Sequence, residues 1–175
     1  STGSDMMISK TFLSIGRTVG LLGLLLIAPR AIVGQDADTW PQWRGPTRDG
    51  HLPADASAGP VWPRSLDEKR LRKAWTVPLG PSYSGPIVSS SLVFTTETVD
   101  KKREQVRTFD RRTGKEIWST GWDGALSVPF FARENGDWIR STPCLDVDPA
   151  DGLERLFVGG IRDRIVCLNA ATGAE

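Results

Sequence analysis

At 175 residues the chain has room for one domain. Its composition is that of a soluble globular protein, apart from seven Trp beside a single Tyr. A formal net charge of +1 builds no field that would call for nucleic acid or an anionic surface.

The first element is a targeting segment. Met6-Met7 is read as the start, with Ser1 to Asp5 as a leader. Lys10 and Arg17 form a positive region, and "VGLLGLLLIA" (Val19 to Ala28) is the apolar stretch. Ten residues fall short of the roughly 20 that span a bilayer. "APRAIVGQDAD" supplies small residues for cleavage after Gly34, so residues 1–34 are expected to be a signal peptide. An uncleaved anchor or a buried helix is the alternative.

"WPQWRGPTRDG" (Trp40 to Gly50) follows, inside a Trp/Pro/Gly-rich segment over 35–73. It is too rigid for a loose linker and too broken for a helix or strand. Leu66 to Ala74 is the one charged, helix-friendly run beyond the apolar stretch. From Trp75 onward, short β-rich runs alternate with Gly, Pro, Asp and Thr turns. Strands are expected at Ala74–Val77, Gly85–Ser90, Leu92–Thr98, Gln105–Asp110, Ile117–Trp122, Arg140–Asp146, Arg155–Gly160 and Arg164–Asn169. The basic clusters Lys101-Lys102-Arg103 and Arg111-Arg112 are flanked by acids and read as solvated turns.

Two stretches repeat. Ser84 to Trp118 aligns with Arg140 to Glu175: Pro86 with Pro143, Phe94 with Phe157, Asp110 with Asn169, and Thr113-Gly114 with Thr172-Gly173, an offset of 59. The length differences fall in turns, as in a structural repeat. "LFV" (156–158) and "IVCL" (165–168) are apolar without alternation, so the sheets are expected to be covered on both faces. Stacked blades satisfy that requirement.

In "TFDRRTGKEIW" (Thr108 to Trp118), Asp110 is placed to accept turn N–H bonds and Gly114 to take a positive φ. Trp118 then arrives on the outer strand, where its ring can pack against a neighbouring blade. Asp110, Thr113, Gly114 and Trp118, with Asn169, Thr172 and Gly173 in the second copy, form the expected structural motif. Cys144 and Cys167 fall on the first and third strands of one sheet. Strands two apart lie about 9.6 Å from each other, beyond the roughly 7 Å Cα separation of a disulfide. Two buried free thiols are expected.

The Asp-x-x-Thr-Gly-x-x-x-Trp spacing, after a strand that follows a Ser/Gly-x-Pro turn, resembles the tryptophan-docking repeat of bacterial quinoprotein-type (pyrroloquinoline quinone-like) β-propellers. The likeness covers roughly Trp75 to Glu175. That family often has Ala where Thr108 stands. The second copy has Cys167 there and Asn169 in the Asp place, and its Trp would fall two residues past Glu175. The segment "WPQWRGPTRDG" is similar to one that precedes the first blade in an exported bacterial group of these proteins.

The resemblance implies an all-β fold of four-stranded antiparallel blades, incomplete here at about one and a half to two blades. An outer strand plus first blade would occupy 74–122 and a partial second blade 123–175. The missing blades of the same longer protein would be its partners. Trp40 and Trp43 would pack on the propeller surface. An exposed aromatic clamp for a sugar or peptide, using Trp40, Trp43 and Trp62, is the alternative.

Chemistry is sparse. His51 is the only His, and no Ser-His-Asp set assembles around it. "DVDPADG" (Asp146 to Gly152) misses the calcium-loop spacing and reads as an acidic hairpin turn. Quinoprotein dehydrogenases use pyrroloquinoline quinone, calcium, an Asp base and often adjacent Cys residues. None of these maps onto this sequence. No catalytic, metal or cofactor residue is therefore assigned, and quinone and calcium would belong only to a full-length dehydrogenase. The expected role is an exported, non-catalytic binding or scaffolding module, periplasmic or at the cell surface, without a membrane span after signal cleavage. The alternatives are the N-terminal part of a quinone-dependent dehydrogenase and a carbohydrate- or peptide-binding module.

Overall fold

A computed structural model describes residues 39–51, 65–68, 71–124, 129–131 and 136–175. Residues 1–34, expected to be a signal peptide, and Trp62 lie outside the described residues. The fold is all-β. The strands are β1 (Ile87–Val88), β2 (Leu92–Val99), β3 (Arg103–Asp110), β4 (Glu116–Asp123), β5 (Cys144–Val147), β6 (Glu154–Gly159) and β7 (Ile165–Asn169). They form two antiparallel sheets, β1-β2-β3-β4 and β5-β6-β7, which are partial propeller blades. No helix among the described residues is long and apolar enough to cross a membrane.

Local chemistry sets the turns. The β2–β3 and β6–β7 hairpins turn on Asp100-Lys101 and Arg162-Asp163, all four at positive φ (52–63°). Three residues separate the paired ends of each hairpin, and the two successive left-handed residues among them reverse the chain in that short span. The β5–β6 turn holds Asp148 and Asp151. Arg155 donates to both carboxylates, at 3.0 and 2.5 Å, and this guanidinium tie fills the stretch considered for calcium.

The sheets pack face to face. Ile87, Phe94, Val106 and Trp122 of the first sheet meet Leu145, Leu156, Val158, Val166 and Leu168 of the second, with Ile139 and Ala170 filling between them. One cross-strand row, Ile87–Phe94–Thr108–Trp118, runs over all four strands of the first sheet on this buried face. Glu104 adds a polar joint. It is fully buried, yet its carboxylate accepts the Trp122 indole N–H at 2.7 Å and the Ile161 N–H at 2.9 and 3.0 Å. Every hydrogen bond that replaces water at this carboxylate comes from the sheet edge or from the β6–β7 turn opposite.

Two expectations need correction here. Ala74–Val77 is not a strand, because no neighbouring strand among the described residues supplies its ladder. The second sheet is covered on one face only. Leu156, Val158, Val166 and Leu168 are buried, while Phe157 (39%), Ile165 (81%) and Cys167 are exposed in alternation with them. The unbroken apolar run thus marks a sheet with two apolar faces, of which the described residues cover one.

Thr108 carries a cost in this core. Its side chain is fully buried and its hydroxyl has no hydrogen-bond partner among the described residues. Thr108→Val keeps the shape and removes the unpaired hydroxyl, so urea unfolding should show a gain of about 1 kcal/mol. A loss would mean that the hydroxyl is paired in solution.

Candidate functional site: the tryptophan–glycine joints

Each Thr-Gly corner is a small hydrogen-bonded cage. In the first, Asp110 Oδ1 accepts the Thr113 N–H (2.7 Å) and hydroxyl (2.6 Å), and the Asp110 carbonyl accepts the Gly114 N–H (2.8 Å). In the second, Asn169 Oδ1 accepts the Thr172 N–H (3.0 Å) and hydroxyl (3.2 Å), and the Asn169 carbonyl accepts the Gly173 N–H (2.8 Å). The two glycines have φ of 71° and 73°, a region that L side chains rarely adopt.

The corners are floors for indoles. Trp118 lies over Gly173 and donates its ring N–H to the Ala170 carbonyl at 3.0 Å. A Cβ on Gly173 would stand 2.5 Å from that ring. Thr120, two residues on, donates its hydroxyl to the Gly173 carbonyl at 2.7 Å. The structure therefore brings Trp118 of the first repeat onto Asn169, Thr172 and Gly173 of the second. Asp110, Thr113 and Gly114 hold a different ring. Trp75 lies over Gly114, 2.6 Å from where a Cβ would be, and donates to the Arg111 carbonyl at 2.9 Å. Arg111 and Ala170 both follow the corner Asp or Asn, so the two joints share the same bond from ring N–H to carbonyl, with Val77 standing where Thr120 adds its tie to Gly173. Trp75 was not among the motif residues. The signal that could have found it is its place on the expected strand Ala74–Val77 ahead of the first copy, as Trp118 lies on a strand ahead of the second, although the spacings differ.

The remaining sequence candidates are dispersed. Trp40 and Pro41 stitch the inner edges of the two sheets. Trp40 exchanges backbone bonds with Val88 (2.8 and 2.9 Å), and the Pro41 carbonyl accepts the Leu145 N–H at 2.7 Å. The Trp40 ring folds over Gly45, which has φ 79°. Trp43, by contrast, is 66% exposed with Arg44 stacked 5.5 Å from its ring centre, so it does not pack on the sheets. It lies on a turn that points outward, while Trp40 alone is held by the backbone bridge to β1. Cys144 and Cys167 are free but not buried: Cys144 is half-buried and Cys167 is exposed, because it lies on the uncovered face. Burial, and then Asp146, raise the Cys144 thiol above its ordinary range. His51 is an exposed loop residue beside Asp49. Among the described residues no group of three or more His, Cys, Asp or Glu is placed to hold a metal.

Two outcomes test the joints. Gly173→Ala should cost about 2–4 kcal/mol, from forced positive φ and collision with the indole. In a Trp118→Ala background the collision is gone, so the same change should cost less in a double-mutant cycle of urea unfolding. Equal costs in both backgrounds would mean that Trp118 does not sit on Gly173. The corners also differ in titration. The Thr113 hydroxyl and then the Thr113 N–H hold the Asp110 carboxyl below the usual aspartate range. A lowered folded-state value stabilises the fold above the unfolded value and loses that stabilisation as pH falls through the folded one. Asn169 cannot titrate. Asp110→Asn should therefore flatten the fall of stability below the ordinary aspartate range, read as unfolding midpoint against pH, whereas Asn169→Asp should steepen it.

Compared with known proteins, residues 102–175 match a family model described as "Outer membrane protein assembly factor BamB", a model of the pyrroloquinoline-quinone-type repeat. No curated protein matches the chain significantly. The matched residues run from the β2–β3 turn to the second corner, so the comparison spans the Trp118–Gly173 joint, and the chain carries a pyrroloquinoline-quinone-like β-propeller repeat.

Proposed function

We propose that the chain is the front part of an exported β-propeller that works as a non-catalytic binding or scaffolding module, in the periplasm or at the cell surface. The observation that carries this reading is the match of residues 102–175 to a family described as an outer membrane protein assembly factor. An assembly factor acts by presenting surface to other chains. The side-chain chemistry agrees in kind: Asp, Asn, Glu and Arg groups of the repeats are engaged in corners, salt ties and inter-sheet bonds. Asp110 and Asn169 cap turns, Glu104 joins the sheets, and Asp148 and Asp151 hold Arg155. The apolar stretch Val19 to Ala28 and the small residues up to Gly34 support export. A quinone-dependent dehydrogenase remains the second reading, since the repeat type is shared. Its calcium ligands and Asp base would come from further blades.

The test is a pair of titrations on the full chain and on any longer form that carries it. An extended peptide with alternating aromatic residues, of the kind found in outer-membrane strands, should bind and shift the intrinsic Trp emission. Pyrroloquinoline quinone with calcium should give no stoichiometric binding and no dye-linked alcohol oxidation. Stoichiometric quinone binding with turnover would replace the scaffold reading by the dehydrogenase. N-terminal sequencing of exported protein should begin near residue 35, and an intact Ser1 or Met6 terminus on exported material would remove the signal-peptide assignment.

A further inference from the structure

We propose that an extended, aromatic-bearing segment of a partner protein docks at the end of the two sheets that holds the β4–β5 connection, with Phe130 and Phe131 as anchors and Tyr83, Trp138 and Arg140 as a second contact. The inference rests on the assembly-factor reading and gives it a location.

Phe130 and Phe131 stand 80% and 77% exposed on a turn after Pro129. Their rings meet edge to face, with centroids 5.6 Å apart at 82°. Leaving a phenyl ring in water forgoes about 1.5–3 kcal/mol of burial. A single exposed apolar residue is ordinary, whereas a contiguous aromatic pair marks an interaction surface. Phe130 lies six residues after Gly124, and Phe131 five before Gly136. Both flanks are fixed at one end of the sheets. Gly124 donates its N–H to the Lys102 carbonyl in the β2–β3 turn at 3.0 Å. Ile139 donates to Thr98 Oγ1 at 2.9 Å and accepts the Tyr83 N–H at 2.9 Å. Chain length then keeps Phe131 within roughly 18 Å of Gly136.

The second contact is a stack built by the repeats. Trp138 rests on Gly136, where a Cβ would stand 2.9 Å from the indole. Tyr83 lies 5.1 Å from the Trp138 ring at 34°, and the Arg140 guanidinium lies 5.0 Å from the Tyr83 ring centre. Arg140 also donates to the Gly136 carbonyl at 2.8 Å. Tyr83 and Arg140 occupy the same place in the repeat alignment, three residues before Pro86 and Pro143, so the stack crosses from one sheet to the next. Trp138 is half-buried while Tyr83 is 48% exposed, which leaves the stack an open side.

Further blades leave this end accessible. Sheets of this protein meet face to face, so an added sheet stacks on a face. The patch lies at the ends of two sheets that are both described.

Charge selects the kind of partner. Asp100, Asp123 and Asp163 are exposed at this end together with Lys101, Lys102 and Arg162. A membrane-docking face is rich in Lys and Arg, and nucleic acid would be repelled by the acids. A protein segment of alternating character suits both features: its polar side chains meet the mixed charges and its aromatic ones meet the rings. Alternate side chains of an extended segment lie about 6.8 Å apart on one side. About five or six residues therefore reach from the phenylalanine pair to the open side of the stack, where an aromatic ring meets Tyr83 and the Arg140 guanidinium.

The experiment uses the full chain, and any longer form that carries it, with a dye-labelled extended peptide in which aromatic and polar residues alternate. Binding is read by fluorescence anisotropy. Phe130→Ser combined with Phe131→Ser should weaken Kd about tenfold or more. Leu153→Ser, at an exposed apolar residue on the β5–β6 turn of the opposite end, should leave Kd unchanged. On the unmodified chain, a peptide with benzophenone in place of one aromatic residue should cross-link on illumination to tryptic fragments 116–133 or 134–140. Equal binding by the serine variant, or cross-links confined to other fragments, would overturn this surface and leave the assembly-factor reading standing. Absence of peptide binding by the unmodified chain and its longer form would remove that reading as well. Vesicles of anionic phospholipid that retain the unmodified chain but not the serine variant would assign the two rings to a membrane and overturn the protein partner.

Discussion

An indole can join two sheets only where the opposite backbone offers a flat floor and a hydrogen-bond acceptor at the rim. That requirement organises this molecule. A tryptophan buries a large apolar surface but brings an N–H that cannot be left dry. The corner after the third strand meets both demands: glycine at positive φ removes the Cβ, and the carbonyl one residue after the Asp or Asn turns toward the ring nitrogen. The cage of Asp110 or Asn169 around its Thr fixes the corner rigidly enough for the acceptor to be in place. Small shifts would cost either the hydrogen bond or the ring contact, so the motif specifies a spacing between neighbouring sheets and not merely adhesion.

A second joint acts at the far end of the same two sheets. Glu104 would be costly inside an apolar interface if any of its oxygens were unpaired. Its bonds to the Trp122 ring and the Ile161 N–H tie β3, β4 and the β6–β7 turn at one point. Gly124 and Gly160 leave room for the carboxylate, since a Cβ at either would run into it. With Trp118 fixing one end and Glu104 the other, the aliphatic residues between them fill a gap whose width and rotation are already determined. The aliphatic core supplies the driving force, and the two directional joints supply the alignment.

The strands and corners were legible because their signals are local. Thr-Gly with an Asp or Asn three residues before the Thr fixes a turn by its own hydrogen bonds, and runs such as Leu92–Val99 and Arg103–Asp110 have the β-branched character and the length of paired strands. β1 was overestimated, since only Ile87–Val88 finds a partner on β2 within a longer extended stretch. Ala74–Val77 has strand chemistry, but a strand is defined by a neighbour, which the segment itself cannot announce. Trp40 and Trp43 look alike in sequence and end up differently, because a single backbone bridge to Val88 secures one and leaves the other on a turn. Glu104 was invisible for the opposite reason: an acid beside a Lys-Lys-Arg turn reads as solvated, and only the second sheet converts it into an interior group.

The apolar run of β6 and β7 shows how a sequence can encode a neighbour that the described residues do not supply. A sheet with one wet face alternates, and selection for solubility keeps its outer positions polar. Phe157, Ile165 and Cys167 break that rule at three positions that line up with Phe94, Val106 and Thr108 of the first sheet, where a covering sheet makes apolar or small residues tolerable. The pattern therefore reports on the environment for which the strand is built, whereas exposure reports on the part of that environment the described residues supply. Where the two disagree on one face and agree on the other, as they do across β7, the disagreement locates a contact surface to within a few residues. Trp75 makes the complementary statement at the other end: its ring already has its floor, and its backbone has no sheet. Both departures are one blade-step from a joint seen in full between Trp118 and Gly173, and that joint sets the geometry that either must satisfy.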